Sequence, residues 1–284
     1  MMATGSHVQV YRSDTGQRVG VWKSLAQLVS DVHSNWNLIQ TKFIADFSRP
    51  YRRSRLGIFW AAYRPILPVS VYIILGVMGV FGSSEDELPR PLYIASGFLF
   101  YGLMSGVMTA TASAVSGDRN LIIRLQIPPI ISIVTRLGTA LSDFLFRMLA
   151  MLAAMLVFTY GFSWNAWTAI LLLIPMLMLA VGIGMLASLL DALSSDASQL
   201  LNSLLVYGVW ASSVVVAMPT RGWLGVISRV NVLNIYVVEG RNLLFEGTVA
   251  DPIGLTIAIA ISVLVFLIGL TVFYRLQFVI RDYL

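Results

Sequence analysis

The chain runs to 284 residues, of which 57% are hydrophobic and only 12% charged, with a formal net charge of +5. The absence of cysteine excludes disulfides, thiolate metal sites and cysteine nucleophiles. Two histidines, His7 and His33, both in the polar N-terminal region, are too few for a zinc or haem site within a membrane, and the cations gather beside apolar runs, where orientation in a bilayer explains them better than nucleic acid does.

Residues 1–23 form a polar tail without the apolar stretch and small-residue cleavage site of a signal peptide. From Leu25 the apolar positions Leu25, Leu28, Val29, Val32, Trp36, Ile39, Phe43 and Phe47 recur in steps of three and four, which places one stripe on a helix. Gln27, Asp31, Asn35, Thr41 and Asp46 occupy the opposite face. The segment 24–62 therefore reads as an amphipathic helix lying in the membrane interface, followed by a basic stretch; packing on a soluble partner is the other reading. That stretch, Arg49 to Trp60, holds four of the nineteen Lys and Arg and places the N-terminus in the cytoplasm.

Residues 63–284 read as an all-α transmembrane domain. Six runs, at 65–82, 92–116, 130–160, 167–190, 200–218 and 253–273, approach or exceed the ~20 residues that cross a hydrocarbon core of roughly 30 Å. The third is longer than a bilayer requires and should tilt, bend or project beyond it. Between the fifth and sixth, polar residues such as Arg229, Asn231, Asn234, Glu239 and Arg241 interrupt the apolar stretches around Leu224 and Tyr236. Short re-entrant or interfacial helices fit there, since backbone at membrane depth is tolerated where protein or a water-filled cavity surrounds it.

Charge asymmetry predicts an even number of spans with both termini inside. Fourteen Lys and Arg fall on the inner side by this topology, and four, Arg90, Arg221, Arg229 and Arg241, on the outer side. The first outer loop carries the acidic run Glu85-Asp86-Glu87. The inner loop at 191–196 has no cation, against the trend.

No G-x-x-x-x-G-K-[ST] stretch occurs, and the two lysines, Lys23 and Lys42, stand outside any such pattern, so a nucleotide would have to bind another chain. Neither H-E-x-x-H nor an intramembrane pair of acids points to a protease or a proton-coupled carrier. The second inner loop runs Gly117 to Pro129. Asp118 is placed as an N-cap and Pro128-Pro129 as a stop, which leaves a short helix with exposed apolar residues. Asp118, Arg119, Leu121, Ile122, Arg124, Leu125 and Ile127 then make a knob suited to a groove on a partner; an ordinary positive-inside loop is the alternative.

Asp143 and Arg147, four apart in the third span, face the same way and are read as an ion pair, since either alone costs about 2.5–3.5 kcal/mol on insertion scales. A direct substrate contact is the second reading. Tyr63, Tyr72, Phe81, Phe98, Phe100, Tyr101, Tyr207 and Trp210 are anchors or packing for the most part. Gly97, Gly102, Gly106, Thr109, Thr111 and Ser113 in the second span read as helix-packing positions.

The order of these parts resembles the ABC-2 type permeases that export bacterial polysaccharides. Tyr51-Arg52-Arg53-Ser54-Arg55-Leu56-Gly57-Ile58-Phe59-Trp60 is similar to that family's R-Y-x-x-S-x-L-G-x-x-W stretch before its first span. Asn120-Leu121-Ile122-Ile123-Arg124-Leu125-Gln126-Ile127-Pro128 looks like its coupling segment, and Trp210-Ala211-Ser212-Ser213 like its W-x-S-P. Asn231 through Glu239 to Arg241-Asn242-Leu243-Leu244 looks like its N-P…E-x-x-R-x-x-L stretch. The sequence departs at Gln126-Ile127, where the family favours an aromatic before proline, and at Ser213 and Val232, where it has proline.

The resemblance implies a bacterial inner-membrane permease with both termini cytoplasmic. It further implies two copies of this chain, two separate ATP-binding cassette subunits carrying ATP and Mg, no cofactor on this chain and no nucleic acid. The implied cargo is a lipid-linked O-antigen or capsular polysaccharide, with teichoic acid a close variant. A long glycan must slide, so many weak ring-face and hydroxyl contacts serve better than one tight charged site; Arg64, Tyr72, Tyr101, Tyr207 and Trp210 are the path candidates, with Arg64 placed to meet a lipid-linker phosphate. A small-molecule exporter of the same architecture, a membrane scaffold and an intramembrane enzyme of lipid-linked sugars are the alternatives.

Overall fold

A computed structural model describes residues 21–51, 54–57, 59–80, 88–219 and 221–283. The 1–20 tail, Arg52, Arg53, Ile58, Phe81 and the acidic run Glu85-Asp86-Glu87 lie outside the described residues. Among those described, every regular element is helical. In chain order they are α1 (Val21–Ser34), α2 (Trp36–Ser48), α3 (Phe59–Val77), α4 (Arg90–Ala112), α5 (Ala114–Gly117), α6 (Arg119–Leu125), α7 (Ile130–Val157), α8 (Thr168–Asp191), α9 (Asp196–Gly208), α10 (Gly222–Val230), α11 (Val232–Phe245) and α12 (Pro252–Tyr283).

Five helices, α3, α4, α7, α8 and α12, are long and apolar enough to cross a membrane. They match five of the six predicted runs, although α3 starts six residues before the expected 65. Pro65 and Pro68 sit inside α3 and deprive the carbonyls of Ala61 and Arg64 of their helical donors. The mostly buried α4 is the centre of the bundle, packed by α3, α7, α8, α9 and α11. The tightest crossing joins α8 to α12. A Cβ on Gly182 would come within 2.8 Å of the Phe266 backbone, and one on Gly269 within 2.5 Å of the Gly182 carbonyl, so only glycine lets these backbones approach.

The predicted fifth span, 200–218, is not a continuous helix. The 13 residues of α9 extend about 20 Å at 1.5 Å per residue, short of a bilayer core. The chain then turns through 209–219, with Ser213 at φ 46. The turn's polar backbone is satisfied from elsewhere: Asn231 Nδ2 donates to the Ala211 carbonyl at 2.6 Å and to Ser212 Oγ at 3.1 Å, and Arg241 Nη2 donates to the Ser213 carbonyl at 2.9 Å. Donors from another element let the helix end early among apolar residues.

The expected short helices are α10 and α11. Asn231 starts α11 as its N-cap, its Oδ1 accepting from Leu233 N at 3.1 Å and Asn234 N at 3.4 Å. Packed on α4, α8 and α12, α11 is part of the bundle rather than a surface strap.

The amphipathic segment is two helices instead of one. Asn35 interrupts it, its Nδ2 donating to the Asp31 carbonyl at 2.8 Å. The expected stripe is not buried along its length: Leu28 and Ile39 are buried, whereas Val29 and Trp36 are 63% and 50% exposed. Both helices pack on α7, and α1 also reaches α12, where the Tyr274 hydroxyl donates to Gln27 Oε1.

Candidate functional site

Two places gather the residues that carry chemistry. The first joins α2 to the loop between α4 and α7. Lys42 Nζ lies 2.5 Å from Asp46 Oδ2 one turn along α2 and 2.8 Å from Asp118 Oδ2, and Arg136 Nη2 of α7 lies 3.8 Å from Asp118 Oδ1. Lys42 and Asp118 are both buried. Asp118 makes no side-chain cap to α6, so the predicted cap is corrected: its carboxylate is drawn to the two cations instead. Lys42 was not singled out by sequence, and the only signal available was its i, i+4 spacing to Asp46.

The helix α6 stops at Leu125, before the two prolines, because Gln126 adopts the left-handed conformation at φ 52. Its outer face presents Arg119, Leu121, Ile123, Arg124 and Leu125. Ile122 and Ile127 are buried against the bundle. Of the seven predicted docking residues, Asp118, Ile122 and Ile127 are therefore packing and pairing groups, while Ile123, not predicted, is exposed.

The second place is a cavity of about 240 Å³ between α3, α4, α7 and α9. Pro65 and Pro68 line it from α3, Phe98, Tyr101, Ser105 and Thr109 from α4, Arg147 from α7 and Asn202 from α9. Arg147 is half-buried and lies across α4, where a Cβ on Gly102 would come within 2.5 Å of its Nη1. Gly102, expected as a helix-packing residue, makes the space for that guanidinium.

The expected Asp143–Arg147 ion pair does not form: no carboxylate lies within 4.0 Å of Arg147, the ion pairs among the described residues being those of Lys42, Asp46, Asp118 and Arg136. Asp143 feels the charges of both Arg147 and Arg64 but does not line the cavity. The two side chains share a helix face and act on each other through their charges, while the guanidinium extends to the opening at Gly102.

The path candidates divide. Tyr101 is buried, and its hydroxyl donates to the Leu205 carbonyl at 2.5 Å, tying α4 to α9. Tyr72 packs on Phe98 with ring centroids 5.0 Å apart and the planes tilted by 35°, and meets the edge of Trp210 at 6.1 Å. Phe98 thus belongs to both this aromatic cluster and the cavity wall. Tyr207 is 74% exposed and outside the cavity, and Arg64 is exposed on α3.

A further polar staple holds α11 in place. The Arg241 guanidinium sits 3.5 Å from the Tyr93 ring centroid and donates to Ser96 Oγ and to the carbonyls of Tyr93 and Ser213. Buried Glu239 accepts from the backbone N–H groups of Ala250 and Asp251, each at 2.9 Å. In the sequence, Glu239 and Arg241 stood out as polar interruptions of an apolar region and as part of the family-like stretch, but nothing there showed their partners.

The profile of the family described as ABC-2 type transporter matches residues 37–245, from α2 to the end of α11, and includes both the joint and the cavity. Comparison with curated proteins gave no match.

Proposed function

The chain belongs to the ABC-2 type transporter family, and on that premise we propose that it is the permease of an exporter that carries lipid-linked polysaccharide, capsule or O-antigen, across the bacterial inner membrane. Permeases of this family work with ATP-binding cassette partners, so hydrolysis belongs to a separate chain. We place the ATPase under the exposed face of α6 and a second copy of the chain against α3 and α9. The apolar stripes Leu67, Val71 and Ile74 on α3 and Leu200, Leu204 and Tyr207 on α9 are exposed and leave that face open to a second copy or to lipid.

The observation that carries the glycan reading is the junction of the cavity with the Tyr72–Phe98–Trp210 cluster. Ring faces and the hydroxyls of Ser105 and Thr109 suit sugar, whose apolar faces stack and whose hydroxyls exchange hydrogen bonds at many registers. A polyanion path would need a row of cations, and the cavity holds one, Arg147.

Depleting the chain in its own cell tests the reading. Lipid-linked glycan should accumulate on the cytoplasmic leaflet and vanish from the surface. Normal surface glycan in depleted cells would overturn it.

A further inference from the structure

We propose that Arg147 and the cavity around it form a binding site for the phosphate of a lipid phosphate ester. The proposal deepens the permease reading and rests on it.

A guanidinium in the middle of a membrane-spanning helix is tolerated when it is paired or faces a water-filled cavity, and in the second case it marks the route of a ligand. Arg147 is the eighteenth of the 28 residues of α7, and among the described residues it has neither a carboxylate within 4.0 Å nor a hydrogen-bond acceptor. It lines the 240 Å³ cavity, a volume several times the roughly 30 Å³ that one water takes in the liquid. Its planar fork matches two oxygens of a phosphate.

The surroundings complete the chemistry. Ser105 and Asn202 line the same space with side-chain groups that make no hydrogen bond among the described residues, so a hydroxyl and an amide are free to donate. Asp143, the one acid on α7, acts on Arg147 and, more weakly, on Arg64 through its charge, but it lies outside the cavity and beyond ion-pair distance of the guanidinium. Phe98 and Tyr101 supply an apolar wall, and the Tyr101 hydroxyl is already committed to Leu205. Glycine at 102 leaves room for the guanidinium, since a methyl there would meet Nη1 at 2.5 Å and the end of the side chain would have to shift.

The test uses the permease–ATPase complex in a neutral detergent, titrated with a polyprenyl diphosphate, the matching uncharged polyprenol and phosphatidylglycerol, with binding read by tryptophan fluorescence. The wild type should bind the diphosphate at least tenfold more tightly than the alcohol. Arg147→Gln should erase that margin and Arg147→Lys should keep part of it.

Equal diphosphate affinity in wild type and Arg147→Gln overturns the site; should Arg147→Gln not assemble, equal affinity of the wild type for the diphosphate and the polyprenol does so. Displacement of the diphosphate by equimolar phosphatidylglycerol supports a phosphate site filled by membrane lipid, and resistance to a large excess assigns it to the linker of the cargo. Failure of the wild-type complex to move glycan would remove the cargo reading while leaving the affinity difference standing, so the two failures are distinct.

Discussion

Lys42 and Asp118, seventy-six positions apart and both buried, meet at 2.8 Å and lock the interface helix α2 onto the segment that leads into α6. If α6 is where the ATPase docks, as proposed, the pair would pass its movement to α2. Removing one partner of such a buried pair typically costs about 3–5 kcal/mol, because the other charge is left uncompensated. Asp118→Asn should lower the thermal midpoint of the purified complex and cut glycan moved per ATP hydrolysed, while Lys42→Met combined with Asp118→Leu should recover part of the stability. Strict additivity of the two single changes would show that the pair is not coupled.

The exposed face of α6 and its buried Ile122 separate docking from packing. Leu121→Asp with Leu125→Asp should abolish copurification of the ATPase while leaving the permease folded, since an unpaired charge in an apolar groove costs several kcal/mol. Ile122→Asp should instead destabilise the permease itself. Gel filtration and ATPase pull-down read the two outcomes, and a Leu121/Leu125 variant that binds its ATPase normally would remove α6 from the joint.

The aromatic residues should no longer behave alike. Tyr72→Ala and Trp210→Ala should slow export several-fold with assembly intact, because they open the ring cluster beside the cavity. Tyr101→Phe keeps the ring and loses one hydrogen bond, a stability change of about 1 kcal/mol, with export near wild type. Wild-type export rates in both Tyr72→Ala and Trp210→Ala would return those rings to packing.

The topology can be read chemically because the chain has no cysteine. Asn120, Asn165 and Thr248 are all exposed. Single cysteines at Asn165 and Thr248 should react with an impermeant maleimide in intact cells, as should one at Ser84 in the first outer loop, and one at Asn120 only after permeabilisation. Strong labelling of the Asn120 variant in sealed cells contradicts cytoplasmic placement of α6.

Long helices were legible in the sequence because each carries its own apolar length, as in α8 and α12. The end of α9 was not, since Leu204 to Ala211 continues its apolar run and the helix stops where Asn231 and Arg241 supply donors from residues far along the chain. The break at Asn35 was hidden by a stripe that stays in phase across it. At the site, the i, i+4 spacing of Asp143 and Arg147 gave a shared face but not the reach of arginine into the space beside Gly102. The burial of Asp118 was equally invisible, because its partners Lys42 and Arg136 lie on other helices.

The most direct measurement places the permease and its ATPase in inverted membrane vesicles with radiolabelled lipid-linked glycan on the outer, cytoplasmic face. Addition of ATP should carry the glycan into the lumen, where it resists an added glycosidase, and vanadate should stop the transfer. Glycan that stays fully digestible while the same vesicles take up a small amphiphilic dye on addition of ATP would contradict polysaccharide export and identify a small-molecule exporter instead.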